Sequence, residues 1–387
     1  IFNRNLGAWD TSKVTNLSKM FDRAEQFNNG GSNSIDSWNT SNVTKMNIMF
    51  WGATSFNQPI GSWDTSKVEE MNEMFEDAES FNQNINSWTV SSVTTMKEMF
   101  RDTDNFDQPL NLWDVQNVQN MSGMFRNATN FNQDLGDWDV SSVTNMGSMF
   151  FSGTNGRFNN GGSDSINDWD VSNVDNMGFM FRGLLNFNQP LNKWNVSKVT
   201  YMRQMFNLAR DFNQPLNNWD VSNVDNMAQM FRRASDFNQD LSGWCVSGIG
   251  SQPDEFNLDN GMENQPDFQP RWGSACSPLV ILTDSDSDDI IGPGQSMVVT
   301  ATFDRTISGS ARYSLNNGAT YSNMSKVNSS TWNFTIVADL LSENTYNISI
   351  TATDTSSHTY DISVGTQNGN ETGVDVIQFT VDKTPPS

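Results

Sequence analysis

Carboxylates are the side chains with the clearest capacity for chemistry in this sequence, and six of them each follow a tryptophan directly. They are Asp10, Asp64, Asp114, Asp139, Asp170 and Asp220, and the equivalent residues elsewhere are Asn39, Thr89, Asn195 and Cys245. Carboxylates stacked about 5 Å apart on neighbouring strands repel one another unless cations or ligand donors lie between them. This column predicts a binding face for glycans, proteins or divalent ions. The alternative is a solvated face that maintains solubility.

A second acidic group lies in the stretch TDSDSDDIIGPG, which holds Asp284, Asp286, Asp288 and Asp289. Alternate carboxylates on a flexible backbone suit Ca²⁺, which takes several oxygen ligands. The spacing is not that of an EF-hand, because the central Gly and the closing Glu are missing. Two interpretations stand, a calcium site and a solvated acidic turn.

Two cysteines, Cys245 and Cys276, are the only ones in the chain. We expect them to form a disulfide, which would stabilise the fold by roughly 3 to 4 kcal/mol for a loop of about 30 residues and would indicate an oxidising compartment. Two buried free thiols are the alternative. A zinc site is not expected, since the single histidine, His358, lies elsewhere.

Enzymatic activity is not expected. One histidine removes most catalytic triads, and no G-x-S-x-G nucleophile motif is present. The carboxylates also repeat along the chain instead of forming one singular pair. No catalytic residue and no required cofactor are therefore predicted, with Ca²⁺ as the one candidate ion.

The elements that position these residues follow from a repeat marked by tryptophan. Ten residues carry it: Trp9, Trp38, Trp63, Trp88, Trp113, Trp138, Trp169, Trp194, Trp219 and Trp244. They are 25 residues apart except in two intervals of 29 and 31, which contain FNNGGSNSIDSW and FNNGGSDSINDW. A fixed period in this range predicts a solenoid of the leucine-rich-repeat type over residues 1–249.

Apolar spacing within one repeat predicts a strand followed by a helical turn. Trp219 and Val221 are two residues apart, as on one face of a half-buried strand. Val224, Met227 and Met230 follow at intervals of three, which is typical of a short amphipathic helix. Stacking such units would bury a continuous core.

Two further columns are interpreted as structural. Seventeen of the 20 methionines occupy two positions of the repeat, where flexible thioethers would fill the core; a soft-metal stripe is the alternative. Asparagine follows phenylalanine at Asn3, Asn28, Asn57, Asn82, Asn132, Asn159, Asn188, Asn213 and Asn238, with Asp107 as the exception. We expect this column to form hydrogen bonds between repeats. A row of ligand-binding amides is the alternative.

The register LxxWxVSxVxxMxxMFxxAxxF, as in Leu135, Trp138, Val140, Met146 and Met149, resembles the repeat of BspA-like leucine-rich-repeat surface proteins. The resemblance covers residues 1 to about 276. It implies a curved solenoid on a secreted or surface-anchored bacterial protein, often an adhesin. Trp and Met replace the Leu of the commonest leucine-rich repeats, which leaves the ligand unassigned.

The amino-acid composition changes after the tenth repeat. Residues 250–277 lose the methionine pair and are predicted to form a C-terminal cap. Residues 278–387 alternate apolar and polar residues in SMVVTATF, TWNFTI, YNISITAT and VIQFTV, which predicts an all-β immunoglobulin-like sandwich. The run TATFD and the ending FTVDKTPPS resemble bacterial Ig-like modules.

Net charge and hydropathy limit the classes of partner that we expect the chain to bind. At −23 the chain repels nucleic acid, and no apolar run is long enough to cross a membrane. We expect a non-enzymatic extracellular protein of a bacterial surface, whose solenoid binds a glycan or protein of another cell and is carried on Ig-like modules. An architectural subunit of a surface filament, assembled from copies of itself without a specific ligand, is the alternative.

Overall fold

The computed structural model describes residues 2–273 and, beyond them, 280–284, 290–291, 296–303, 309–315, 321–328, 330–337, 341, 344–353, 359–362 and 378–381. The chain divides into two compact units, Ile1–Ala275 and Cys276–Ser387. Within the described residues, no helix combines the length and the hydropathy needed to cross a bilayer.

Single parallel bridges join the repeats of the first unit. They form one column through Asn16, Lys45, Glu70, Thr95, Asn120, Asn145, Asn176, Tyr201 and Asn226. The one pair of longer strands described in this unit joins β1 (Cys245–Val246) to β2 (Arg271–Trp272) in parallel. The predicted strand of each repeat is therefore reduced to a single bridging residue.

The predicted helical turn is a succession of tight turns. In the second repeat, the Met49 N–H donates to the Met46 carbonyl at 3.2 Å, which closes a four-residue turn. The Ile48 N–H lies between them and donates at 3.0 Å to the Asn72 carbonyl of the next repeat. Alternate N–H groups thus bond within the turn and between repeats, whereas a helix would keep them within itself.

Left-handed residues make these turns possible. Ile48 has a φ of 61° and Gly52 a φ of 65°, and the equivalent residues of the other repeats also have positive φ, except Ser152. A non-glycine residue in this conformation costs roughly 1 to 2 kcal/mol. Contacts between the repeats must offset that cost, because few of these residues are glycine.

The prediction of an α/β leucine-rich-repeat solenoid is wrong, because its repeats contain no α-helix and no continuous strand. The helices among the described residues are short 3₁₀ segments: Asn29–Gly31, Asn33–Ser37, Asn160–Gly162, Ser165–Asp168 and Pro266–Phe268. The first four lie in the two long intervals, where Gly30 and Gly31 supply φ values of 61° and 79°. Side chains every three or four residues can arise from consecutive turns as well as from a helix.

Aromatic and methionine side chains form the core of the first unit. The rings of Trp113 and Trp138 stack with centroids 6.5 Å apart, and Trp138 Nε1 donates at 2.9 Å to the Leu110 carbonyl. All residues of the two methionine columns except Met20 are fully buried. The prediction that these columns fill the core is confirmed.

Short strands form the described part of the second unit. They are β3 (Val280–Asp284), β4 (Ile290–Ile291), β5 (Ser296–Phe303), β6 (Arg312–Ser314), β7 (Ser322–Asn323), β8 (Ser325–Lys326), β9 (Thr331–Val337), β10 (Asn344–Asn347), β11 (Ser349–Thr353), β12 (Thr359–Ile362) and β13 (Gln378–Val381). Their sheets have the orders β3-β5-β9-β8, β12-β11-β6-β7 and β10-β13-β4.

The predicted immunoglobulin-like sandwich is also wrong: the described strands form three small sheets, one with a parallel pair between β13 and β4, and no closed sandwich is evident among them. The predicted alternation of apolar and polar residues along these strands is confirmed, since Met297 and Val299 of β5 and Phe334 and Ile336 of β9 are buried together. Alternation identifies the buried face of a strand but not its neighbours.

Candidate interaction face

Repeats of the first unit share their buried residues but differ in the residue that follows each Met-Phe pair. We call this column the variable strip; its residues are half-buried, except for the buried Glu76 and Asn207: Asp22, Trp51, Glu76, Arg101, Arg126, Phe151, Arg182, Asn207 and Arg232. Residues that recur in every repeat build the stack. Along the variable strip the charge and polarity of the side chain change between repeats, although four of the nine carry arginine.

Carboxylates cluster around the strip residues Glu76 and Arg101 of the third and fourth repeats. Oxygens of Glu73, Glu76 and Glu98 lie within 4.8 Å of one another. Arg101 Nη1 lies 3.0 Å from Glu76 Oε1 and 3.6 Å from Glu98 Oε1. Burial raises the pKa of Glu76 to about 7, and the nearby Arg101 opposes that rise.

This triad has the donor set of a metal site, but the protein supplies its own cation. Arg101 contacts two of the three carboxylates, and Lys97 Nζ lies 4.0 Å from Glu73 Oε1 and 3.5 Å from Glu98 Oε2. A divalent ion would have to displace the guanidinium. The arrangement is a charge network between neighbouring repeats.

Arginines and an aromatic ring occupy the strip at the fifth to seventh repeats. The guanidinium carbons of Arg126 and Arg182 lie 4.8 and 4.9 Å from the centroid of the Phe151 ring. Burial lowers the pKa of Arg182, as do the positive charges of Arg126 and Arg232. No carboxylate of the described residues lies within ion-pair distance of Arg126 or Arg182. These two cations are therefore available to an anionic group of a partner.

The predicted binding column of aspartates has a local structural role. Each of Asp10, Asp64, Asp114, Asp139, Asp170 and Asp220 accepts the backbone N–H two residues later, at 3.0 to 3.3 Å. Side-chain hydrogen bonds from Ser12, Ser66 and Ser141 lower the pKa values of Asp10, Asp64 and Asp139 respectively. These side chains shape the turn after each tryptophan. Their role in ligand binding stays a prediction.

The asparagine column forms the predicted bonds between repeats. Asn57 Oδ1 accepts the Asn82 N–H at 3.0 Å and the Gln83 Nε2 group at 2.8 Å. Asp107 Oδ1 accepts the equivalent pair from Asn132 and Gln133. The prediction of a structural column is confirmed for these bonds.

Most of the remaining predicted site residues lie outside the described residues. Asp286, Asp288 and Asp289 are among these, and Asp284 ends β3, so the calcium site stays a prediction. Cys245 lies on β1, and the disulfide that we expect it to form stays a prediction. Its predicted partner, Cys276, is outside the described residues.

The variable strip was not predicted from the sequence. A signal for it exists, because aligning the repeats on their tryptophans shows that the residue after Met-Phe ranges over Asp, Trp, Glu, Arg, Phe and Asn. This surface is missed when only the repeated residues are compared, because its own residues differ from one repeat to the next.

Comparison with known proteins gives the family. No curated protein matches the chain. The family model described as "Mycoplasma protein of unknown function, DUF285" matches three overlapping segments, residues 1–103, 59–161 and 151–267. Together these segments span residues 1–267 of the 387 residues, well over half of the chain. The chain is therefore a repeat-containing bacterial protein that belongs to the DUF285 family.

Proposed function

We propose that this protein is a non-enzymatic, extracellular protein of a bacterial surface, and that its repeats bind a macromolecule of another cell through the variable strip. The observation that carries the proposal is the contrast between invariant buried positions and a strip that changes from acidic to basic and aromatic along the repeats. Arg and aromatic side chains are enriched where protein interfaces are most strongly stabilised. The resemblance to BspA-like surface proteins supports the same role.

Binding of the full chain to an array of extracellular proteins and glycans would test this proposal. We expect at least one ligand to bind, and the double variant Arg126→Ser, Arg182→Ser to lose that binding at least tenfold. The double variant Lys13→Ser, Lys198→Ser is the matched control, because it removes the same charge from exposed residues outside the strip. Equal loss in both variants would indicate a general charge effect and contradict the proposal.

An architectural role in a surface filament, without a specific ligand, is the competing proposal. Its support is the uninterrupted column of bridges between repeats, which suits a load-bearing element. Absence of any ligand on the array, together with concentration-dependent filaments in electron micrographs, would favour it.

A further inference from the structure

A polar groove lies at the asparagine column, and none of its lining residues belongs to the variable strip. The residues before and after each phenylalanine of the repeat flank the buried ring, and those of the second to sixth repeats line a groove of about 440 Å³. The volume is within the range of small-molecule ligand sites, roughly 300 to 1,000 Å³. We call Asn57, Asn82 and Asp107, each of which follows a phenylalanine, the asparagine wall; the other lining residues, Ser80, Asn105, Asn130 and Arg157, each precede a phenylalanine.

Two residues that differ from those at the same position of the other repeats both line this groove. The residue after phenylalanine is asparagine in nine repeats and aspartate only at Asp107. The residue before phenylalanine is basic only at Arg157. The Arg157 N–H donates at 3.1 Å to the Thr129 carbonyl, which keeps Arg157 in register with Asn130 despite the longer sixth repeat. The stack itself requires neither charge, because the other repeats form the same bonds without them.

Hydrogen bonds leave one side-chain atom free at each position of the asparagine wall. The Oδ1 atoms of Asn57, Asn82 and Asp107 each accept a backbone N–H and a glutamine Nε2 group of the next repeat. Since each Oδ1 atom already accepts two hydrogen bonds, the groups left for a ligand in the groove are the Nδ2 groups of Asn57 and Asn82 and the Oδ2 atom of Asp107. Two donors and one acceptor therefore stand in a row, about 5 Å apart.

This set of groups selects for a ligand that both donates and accepts hydrogen bonds along its length. One carboxylate is too few for Ca²⁺, which takes six to eight oxygens. One guanidinium is a poor match for a polyanion. The entirely polar walls provide no apolar pocket for the side chains of a peptide. Sugar hydroxyls accept from amides and donate to carboxylates, so a saccharide fits all three groups.

We infer that this groove is a saccharide-binding site. The amides of Asn57 and Asn82 donate to sugar oxygens, Asp107 Oδ2 accepts from sugar hydroxyls, and Arg157 donates to an oxygen or an acidic substituent at the far end. The inference deepens the proposed surface role by adding a ligand class, but it concerns a different part of the molecule from the variable strip.

Substitution at Asp107 tests the inference without disturbing the stack. The full chain is first applied to an array of defined neutral and uronic-acid oligosaccharides, and the oligosaccharide that binds is then used in calorimetric titration. Asp107→Asn restores the residue of the other repeats, so the melting temperature should stay within 2 °C of the parent. We expect its affinity for the oligosaccharide to fall at least tenfold. Arg157→Ser should reduce binding of the uronic-acid oligosaccharides more than that of the neutral ones.

A matched control is available in the same column. Asn188→Asp places a carboxylate in an equivalent set of bonds outside the groove and should leave saccharide affinity unchanged. The inference is overturned if no oligosaccharide binds the parent chain, or if Asp107→Asn binds as tightly as the parent. Loss of saccharide binding with retention of a protein ligand at the variable strip would leave the proposed function intact, so the two failures are distinguishable.

Discussion

Arg101 extends across a boundary between repeats to place its Nη1 atom 3.0 Å from Oε1 of Glu76. The Glu76 side chain is only 7% exposed and that of Arg101 is 31% exposed. A half-buried cation thus partly neutralises a buried acid in the preceding repeat, and Lys97 and Glu98 extend the network. These charged side chains therefore stabilise the packing of neighbouring repeats and also set the charge of the surface at this point of the variable strip.

Glu76→Gln is expected to change the pH dependence of stability. Burial raises the pKa of Glu76 to about 7 from an ordinary value of 4.5. Between these two values the folded chain binds more protons than the unfolded chain, so this group lowers the free energy of unfolding as pH rises from 4.5 to 7. The effect is at most about 3 kcal/mol at 1.36 kcal/mol per pKa unit. Urea titrations of parent and variant over this range measure it, and parallel curves would contradict the assignment.

Arg101→Met is expected to destabilise the first unit by about 2 to 3 kcal/mol at pH 8. The substitution keeps the aliphatic stem but leaves a buried carboxylate without its cation. In a Glu76→Gln background the same substitution should cost less than half as much, which a double-mutant cycle of unfolding free energies would reveal. Equal costs in both backgrounds would mean that Arg101 acts through its other carboxylates.

Gly183→Ala is expected to destabilise the protein by roughly 2 to 4 kcal/mol, from overpacking and backbone strain. Gly183 has a φ of 78°, and a Cβ atom there would lie 2.0 Å from the carbonyl oxygen of Ser152 in the preceding repeat. Gly153→Ala is the control, since a Cβ atom at Gly153 would meet nothing within 4 Å. Chemical denaturation should therefore separate the two variants clearly. Similar midpoints would show that the repeats can move apart at little cost.

Trp138→Phe is expected to destabilise the first unit by about 2 to 4 kcal/mol. The substitution removes the hydrogen bond from Trp138 Nε1 to the Leu110 carbonyl and leaves space in a stacked column. Trp9→Phe is the control, because Trp9 is 53% exposed at the start of the same column. Thermal melting of both variants would compare the two positions, and an equal effect would argue against the buried hydrogen bond as the cause.

Sequence alone predicted the contents of the core better than its backbone. Trp138 could be assigned to the interior because tryptophan recurs in all ten repeats, and Met149 because methionine recurs at its position in nine of them; both are buried. The backbone was misjudged because residue type does not reveal a positive φ: Ile48 and Phe179 have φ values of 61° and 63° although neither residue favours them. Contacts with the next repeat impose that conformation, and such contacts are not visible in a local window.

The proposed binding surfaces could be predicted only in part from the sequence, for a related reason. Asp107 could be recognised from the sequence as the exception in its column, but its significance depends on Arg157, which lies 50 residues later and across the same groove. No residue of the variable strip, taken singly, indicates that it belongs to a common surface. Their shared position becomes evident only when the repeats are placed in register.

Bonds between residues 25 positions apart, repeated from one boundary to the next, make the number of repeats adjustable. Deleting residues 195–219 would join Trp194 to Asp220, and each column would then pass directly from the seventh repeat to the ninth. The length of the stack can therefore change by whole units of about 5 Å, so that reach can evolve separately from the chemistry of any single repeat.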